Sequence, residues 1–238
     1  MADPARRAAY LGALGIDQWV PRRPLTPVAV AAVAAVAAVA PASASSPVTE
    51  DPWSALQACV RDCRRCGLHE GRTQAVFGAG SRAAEWMVVG EAPGEEEDRQ
   101  GEPFVGASGQ LLTAMLAAIG LQRDSVFIAN VLKCRPPGNR DPKPAEVAEC
   151  LPHLEQQVAM VQPRLILAFG RVAAQNLLGT EATLGSLRGV VHRFGPLNTP
   201  VVVTYHPAYL LRSPGEKRKA WEDLKFARQV FADLPSRD

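Results

Sequence analysis

Four short, uninterrupted apolar runs mark the part of the chain between residues 86 and 204. They are residues 86–89 (WMVV), 126–129 (VFIA), 165–168 (LILA) and 201–204 (VVVT). Runs of this length are typical of strands that are buried on both faces of a parallel sheet. Segments with helical periodicity lie between and after them, at 109–119, 144–161, 170–178 and 215–231. This alternation predicts an α/β fold with a central parallel sheet of about four strands.

The first fifty residues differ in composition from the rest of the chain. Residues 5–20 have the pattern of a short amphipathic helix, so we predict a helical extension over residues 1–24. Residues 28–40 contain only Ala and Val and resemble a signal peptide, but these 13 residues are fewer than the ~20 that span a bilayer. The basic pair Arg22 and Arg23 also comes unusually late for a signal peptide. We therefore interpret residues 25–51 as a disordered linker and residues 52–238 as one folded domain.

Overall composition sets few limits on function. The 238 residues are 47% hydrophobic, which suffices for a sizeable core, and a formal net charge of +2 does not indicate a class of partner. Local charge is more informative, since Arg212, Lys217, Arg218 and Lys219 surround the single acid Glu216. The residues alone leave two interpretations open, a solvated helix start and a patch that binds anions.

Polar residues follow three of the predicted strands. Glu91 lies in a GEAPG turn after the first strand, Asn130 follows the second, and His206 follows the fourth. Because the carboxyl ends of parallel strands open on one edge of a sheet, we expect these side chains to converge on one crevice. Each residue taken singly has an ordinary structural explanation, but their joint placement favours a ligand site.

The five cysteines indicate a second site. Cys63 and Cys66 form a close pair, whereas Cys134 and Cys150 flank a loop rich in Pro and Arg. Four thiolates from two distant segments suit either zinc or an iron–sulfur cluster, and spacing alone does not choose between them. A disulfide framework is less favoured in a chain without a convincing secretory signal.

The remaining cysteine, Cys59, raises the possibility of a radical-SAM enzyme. With Cys63 and Cys66 it makes a C-x3-C-x2-C spacing, but Arg65 stands before the last cysteine where those enzymes usually have an aromatic residue. The three cysteines also recur at helical spacing. We therefore interpret Cys59 as a buried residue of a helix.

Together these motifs closely resemble those of family 4 uracil-DNA glycosylases, the iron–sulfur type. The resemblance covers roughly residues 52–232 and is carried by GEAPGEEEDRQGEPFVGASGQLL at 90–112, IANVLKCRPPGNRDP at 128–142, YHPAYLLR at 205–212 and the paired cysteines. It implies a three-layer α/β sandwich and a repair enzyme that flips uracil out of DNA. Hydrolysis of the N-glycosidic bond would release uracil and leave an abasic site. The initial helix also looks like extensions of some bacterial members, whereas the Ala/Val linker is not part of the family pattern.

The resemblance also implies which residues bind uracil. They are Glu91, Ala92, Pro93, Phe104, Asn130 and His206. The ring of Phe104 would stack on the base, and the amide of Asn130 would bond its N3–H and O4. Backbone groups of the GEAPG turn would contact the base edge.

Catalysis would depend on His206 and one or two acids. His206 would donate a hydrogen bond to uracil O2, where negative charge accumulates. Glu91 would orient water or stabilise the positive sugar, with Glu97 as the reserve acid. We expect Glu97 also to fill the space near uracil C5 and so to exclude thymine. Glu95, Glu96 and Asp98 are expected to be solvated loop and helix-start charges.

The same resemblance predicts how DNA and a cofactor are held. The residues predicted to contact DNA are Tyr209, Leu210, Arg212, Lys217 and Arg218, although Leu210 and Leu211 could instead pack inward. The predicted ligands of a structural [4Fe–4S] cluster are Cys63, Cys66, Cys134 and Cys150. We expect a monomer that acts on uracil-containing DNA in the bacterial cytoplasm, at the nucleoid and not at a membrane. The N-terminal extension could bind a protein partner.

Three alternatives remain at this point. A uracil-DNA-binding relative with little turnover would carry a reactive His in an Arg-rich loop, but the corresponding CRPPGNRDPKP loop contains no His. An unrelated radical-SAM-like enzyme would need a reducible cluster. A nucleotide-binding module with a structural zinc ion would be colourless and would release no base.

Overall fold

The computed structural model describes residues 51–235. The helix predicted over residues 1–24 and nearly all of the linker predicted over residues 25–51 lie outside the described residues, so both remain predictions. Within the described residues, no helix is long and apolar enough to cross a membrane.

Six strands and eight α-helices account for most of the described residues. The strands are β1 (Ala79–Gly80), β2 (Trp86–Gly90), β3 (Phe127–Asn130), β4 (Leu165–Phe169), β5 (His192–Phe194) and β6 (Thr199–Thr204). The helices are α1 (Pro52–Arg61), α2 (Glu95–Gln100), α3 (Ala107–Ala118), α4 (Pro144–Val161), α5 (Arg171–Leu178), α6 (Leu184–Leu187), α7 (Pro207–Arg212) and α8 (Lys217–Asp233). Short 3-10 turns lie at Gly67–His69, Arg123–Ser125, Pro137–Asn139 and Pro214–Glu216.

The six strands form one sheet in the order β1-β3-β2-β4-β6-β5. The four inner strands are parallel, as their apolar runs predict. Two antiparallel edge strands, β1 and β5, complete the sheet and correct the predicted number of about four. With two and three residues, the edge strands are too short to show a strand pattern in the sequence.

Helices cover both faces of this sheet. Side chains of a strand alternate between its faces, so Met87 and Val89 of β2 join one apolar cluster and Trp86 and Val88 join the other. The first cluster includes residues of α1, α4, α5 and α6, and the second includes residues of α3, α7 and α8. The predicted three-layer sandwich is confirmed.

Helix α4 has the bounds that its sequence predicts. Pro144 stands at its first position, where no backbone N–H partner is needed. The Glu146 carboxylate accepts a hydrogen bond from the Lys143 backbone N–H at 2.8 Å and caps the helix start. Helix α8 begins two residues later than predicted, because Pro214–Glu216 forms a 3-10 turn.

A buried ion pair holds α8 against the carboxyl end of β6. The Asp223 carboxylate accepts hydrogen bonds from Arg188 Nε at 2.7 Å and from the Thr204 hydroxyl at 2.8 Å. The Arg188 guanidinium also lies over the Tyr205 ring, 4.5 Å from its centroid. These contacts fix the chain where it leaves β6, immediately before His206.

Candidate active site

A cavity of about 410 Å³ lies at the carboxyl ends of the inner strands. It is lined by Glu91, Ala92, Pro93, Gly94, Glu97, Phe104, Ser108, Asn130, Pro136, Asn139, Arg140, Asp141, His206, Ala208, Tyr209 and Arg212. Every residue predicted to bind uracil is in this set. The cavity lies where the topology of a parallel sheet leads us to expect a ligand.

The end of β2 packs against two of these residues. Gly90 lies beside Asn130 in the register of the β2 and β3 strands. A Cβ atom at position 90 would lie 2.4 Å from Asn130 Oδ1 and 2.6 Å from Phe104 Cζ. A side chain at position 90 would therefore displace the side chains of Asn130 and Phe104, and only glycine leaves both in place.

Asn130 presents an unused hydrogen-bond acceptor. The residue is 2% exposed, and its Oδ1 atom has no hydrogen-bond partner among the described residues. A buried acceptor without a donor costs about 1–3 kcal/mol. Such an atom in the wall of a cavity is positioned to accept a hydrogen bond from a ligand.

His206 is held as a neutral imidazole. Its Nδ1 atom accepts a hydrogen bond from the Ala208 backbone N–H at 3.1 Å, which leaves the ring proton on Nε2. Burial lowers the pKa of His206 to about 4, with Arg212 acting in the same direction and Glu97 opposing it. The imidazole stacks on the Phe104 ring at a centroid distance of 5.5 Å, so the two rings form one side of the cavity.

Glu91 is the acid whose protonation changes near neutral pH. Burial and the negative charge of Asp141 raise its pKa while Arg171 lowers it, and the net result is a pKa of about 7. A buried acid with a shifted pKa in a cleft is a common property of catalytic sites. Asp141 also lines the cavity, although it is not among the residues predicted from the sequence.

Glu97 has a fixed carboxylate. Its Oε2 atom accepts a hydrogen bond from the Gly94 N–H at 3.1 Å, and its Oε1 atom accepts from Val105 N at 3.0 Å and Gly106 N at 3.4 Å. These bonds join the turn after β2 to the turn that carries Phe104. Glu97 therefore connects two walls of the cavity and has little freedom to act as a base.

The other acids of this segment divide into two groups. Asp98 was predicted to be solvated, but it is 4% exposed and both its carboxylate oxygens accept from the Thr73 N–H at 3.0 Å. That prediction is wrong because α2 turns Asp98 inward. Glu95 is largely exposed and pairs with Arg135, as expected of a solvated charge.

Phe104 has an unusual backbone. Its φ of +55° lies in the left-handed region, which non-glycine residues adopt only at an energetic cost. Close packing holds it there, since a Cβ atom on Gly109 would lie 1.7 Å from the Phe104 carbonyl oxygen. Two glycines therefore determine the position of Phe104: Gly90 leaves room for its ring, and Gly109 leaves room for its backbone.

The four predicted cluster ligands, Cys63, Cys66, Cys134 and Cys150, line a second, small cavity. Hydrogen-bond donors approach two of the sulfurs: Arg72 Nη1 donates to Cys134 Sγ at 2.9 Å, and Lys133 N donates to Cys150 Sγ at 3.2 Å. His153 Nε2 lies 3.4 Å from Cys63 Sγ, and the tautomer of the ring decides which of the two atoms donates. Burial raises the pKa of the Cys150 thiol to about 11 and lowers the pKa of Lys133 to about 8. Among residues 51–235, no three His, Cys, Asp or Glu side chains are grouped closely enough to hold a single metal ion.

Cys59 does not line that cavity. It lies on α1, as predicted, but its side chain is exposed, so the predicted burial is wrong. Helix α1 ends at Arg61 and the chain then turns away. Cys63 and Cys66 therefore do not share a helical face with Cys59, contrary to the expectation from their spacing. Cys63 and Cys66 line the cavity without Cys59, so the structure does not bring the three cysteines of the radical-SAM spacing together.

Comparison with known proteins decides the family. Residues 77–225 match the model of the Uracil DNA glycosylase superfamily. Over 173 residues, 70% of this chain and 86% of the relative, the chain is 47% identical to the type-4 uracil-DNA glycosylase of Archaeoglobus fulgidus. The chain belongs to the type-4 uracil-DNA glycosylases. The type-4 enzymes of Pyrobaculum aerophilum and Thermotoga maritima are 44% and 40% identical, over 71% and 72% of this chain and 89% and 91% of the relatives.

The residues of this type-4 glycosylase that were predicted to contact DNA fall into two groups. Tyr209 and Arg212 are exposed and line the cavity mouth. Lys217 and Arg218 are exposed at the start of α8. Leu210 is 1% exposed and packs into the apolar core, so its placement does not support the predicted DNA contact. The turn of α7 directs Leu210 inward and leaves its neighbour Leu211 exposed.

The neutral state of His206 in this glycosylase can be tested by nitrogen NMR. We expect Nε2 to carry the proton at pH 7, and the ring to titrate with a pKa of about 4. Replacing Arg212 by Gln removes a nearby positive charge, so the pKa of His206 should rise. A pKa that stays unchanged in the Arg212→Gln variant, or a proton on Nδ1 at pH 7, would contradict this description.

Proposed function

We infer that this protein excises uracil from DNA by hydrolysing the N-glycosidic bond, and that it leaves an abasic site. The observation that carries the inference is the unpaired, buried Oδ1 atom of Asn130 in a cavity shared with His206 and Phe104. The type-4 family assignment supports the same activity. The base must leave the duplex to enter a cavity of this kind, at a cost of a few kcal/mol.

Asn130 selects the base. In our proposal its Oδ1 atom accepts from uracil N3–H, while its amide nitrogen donates to O4. Cytosine presents the reversed pattern at these two positions, so it would leave buried polar groups unpaired. Glu97, fixed by three backbone N–H groups, forms the wall that we propose lies near C5 and excludes the methyl group of thymine.

His206 stabilises the leaving group. Negative charge collects on uracil N1 and O2 as the glycosidic bond breaks, and a neutral Nε2–H can donate to O2. Phe104 provides the apolar ring against which the base stacks, a contact worth about 1–3 kcal/mol. The Phe104 and His206 rings stack on each other. The ring that would stack on the base and the imidazole that would donate to O2 are therefore neighbours.

Glu91 acts on water and on the sugar. The oxygen of a water molecule bonds to C1′ as the C1′–N1 bond breaks, and the bonding electron pair leaves with uracil. The Glu91 carboxylate accepts a proton from that water, and its charge also stabilises the positive sugar. We assign this role to Glu91 and not to Glu97, because both oxygens of Glu97 already accept backbone hydrogen bonds.

We propose that Cys63, Cys66, Cys134 and Cys150 bind a structural [4Fe–4S] cluster. The ligand set supports it, since four sulfurs line one cavity and hydrogen-bond donors approach two of them, as suits cluster-bound thiolates. The cluster would join the segment after α1, which carries Cys63 and Cys66, to the segment after β3, which carries Cys134, and to α4, which carries Cys150. Hydrolysis of the glycosidic bond transfers no electrons, so we assign the cluster no step in the reaction.

A pair of cysteine variants tests the cluster ligands. The Cys66→Ser variant removes a proposed ligand, and the purified protein should lose its brown colour and most of its iron. The Cys59→Ser variant changes an exposed cysteine outside the cavity and should retain both. Equal iron content in the two variants, or zinc in place of iron in the unmodified protein, would refute the proposal.

The activity is tested on an oligonucleotide that contains one uracil, followed by alkali to cleave abasic sites. We expect cleavage at the uracil position, none at a cytosine in the same context, and a loss of at least about a hundredfold in the Asn130→Ala variant. Absence of cleavage by the unmodified protein, with an active control enzyme alongside, would disprove the proposed function.

The pH dependence of kcat/KM tests the role of Glu91. The active form is the carboxylate, so kcat/KM should rise with pH through a midpoint of about 7. His206 is already neutral over this range, so it should cause no decrease at higher pH. The Asp141→Asn variant removes a negative charge that raises the pKa of Glu91 and should move the midpoint to lower pH. An unchanged midpoint in that variant would argue against Glu91 as the titrating group.

A further inference from the structure

One buried residue contacts both the cysteine cavity and the base-reading residue. The side chain of Lys133 is 1% exposed, and its Nζ atom donates a hydrogen bond to the Asn130 carbonyl oxygen at 2.8 Å. Its backbone N–H donates to Cys150 Sγ at 3.2 Å. The two sites are therefore joined through a single residue.

A second contact fixes the position of this ammonium group. Lys133 Nζ also donates to Gln157 Oε1 at 2.6 Å, and the amide nitrogen of Gln157 donates to the Phe77 carbonyl oxygen at 2.8 Å. Gln157 is completely buried on α4, the helix that carries Cys150. The ammonium group is thus held from the same helix that provides a proposed cluster ligand.

The charge of Lys133 has few nearby partners. Both hydrogen-bond acceptors of its ammonium group are neutral amide oxygens. A buried cation is costly without compensating negative charge. The position of the ammonium group is therefore set by its two hydrogen bonds, and loss of either should shift it.

The position of Asn130 depends on this arrangement. Asn130 is the last residue of β3, where the ladder to β2 ends. Its Oδ1 atom lies so close to Gly90 that a Cβ there would be only 2.4 Å away. The Lys133 hydrogen bond to the main chain therefore helps to determine where Oδ1 lies in the cavity.

We propose that Lys133 is a positioning residue for base selection, which holds Asn130 in place through its hydrogen bond to the main chain. The proposal rests on the proposed role of Asn130 in reading uracil. Lys133 does not line the cavity that contains Asn130 and His206, so it would act on the base only through Asn130.

The test compares the affinity of the holoprotein for free uracil with its affinity for 3-methyluracil, which lacks the N3–H donor. The unmodified protein should prefer uracil at least about tenfold, the value of one hydrogen bond. In the Lys133→Met variant, measured at equal iron content, this preference should fall about tenfold. The Gln157→Met variant removes one of the two acceptors that hold Nζ, and it should give a smaller decrease. If the Lys133→Met variant does not fold, the Gln157→Met variant tests the same hydrogen-bonded arrangement.

Arg72→Met is the matched control. Arg72 also donates to a cysteine sulfur, that of Cys134, but none of its hydrogen bonds reaches Asn130. We expect faster release of iron to a chelator in this variant, with the preference for uracil retained. The proposal is overturned if Lys133→Met and Gln157→Met keep the full preference, or if Arg72→Met loses it equally.

Two measurements on the unmodified protein distinguish failure of this proposal from failure of the proposed function. If it cleaves uracil-containing DNA but binds uracil no better than 3-methyluracil, Asn130 does not read N3–H and the role of Lys133 is disproved while the activity stands. If it cleaves no uracil-containing DNA, the proposed function itself fails.

Discussion

The active site depends on close packing at Gly90. Strand β2 ends against the side chains of Asn130 and Phe104, and a side chain at position 90 would displace both. Asn130 is thereby confined with its Oδ1 atom unpaired, and the ring of Phe104 is confined beside it, while its left-handed backbone packs against Gly109. A binding group that is fixed before the ligand arrives loses less entropy on binding, so this packing favours recognition of a flipped base.

The environments of His206 and Glu91 shift the pKa values of these two groups in opposite directions. Burial lowers the pKa of His206 to about 4 and raises the pKa of Glu91 to about 7. Burial disfavours the charged form of both side chains, so it moves the two pKa values in opposite directions. In the proposed mechanism, His206 is therefore a neutral hydrogen-bond donor for the leaving base, and Glu91 is an acid that can accept a proton near neutral pH.

Much of this arrangement could be predicted from the sequence. Buried parallel strands give continuous apolar runs, and their carboxyl ends share one edge, so the convergence of Glu91, Asn130 and His206 follows from topology. The position of the Glu97 carboxylate could not be predicted, because it depends on the exact backbone conformation of the turns at residues 94 and 105–106. The inward turn of Leu210 could not be predicted either, because it depends on packing against core residues from other elements.

The central claim, that packing at Gly90 sets the base-reading site, is tested most directly by comparing two glycine variants. An added methyl group at Gly90 meets Asn130 and Phe104, whereas one at Gly71 meets no atom within 4 Å. With melting temperatures measured for both, we expect kcat/KM for uracil excision to fall at least about a hundredfold in Gly90→Ala, while Gly71→Ala stays at the unmodified level. Full activity in a folded Gly90→Ala variant would contradict the account.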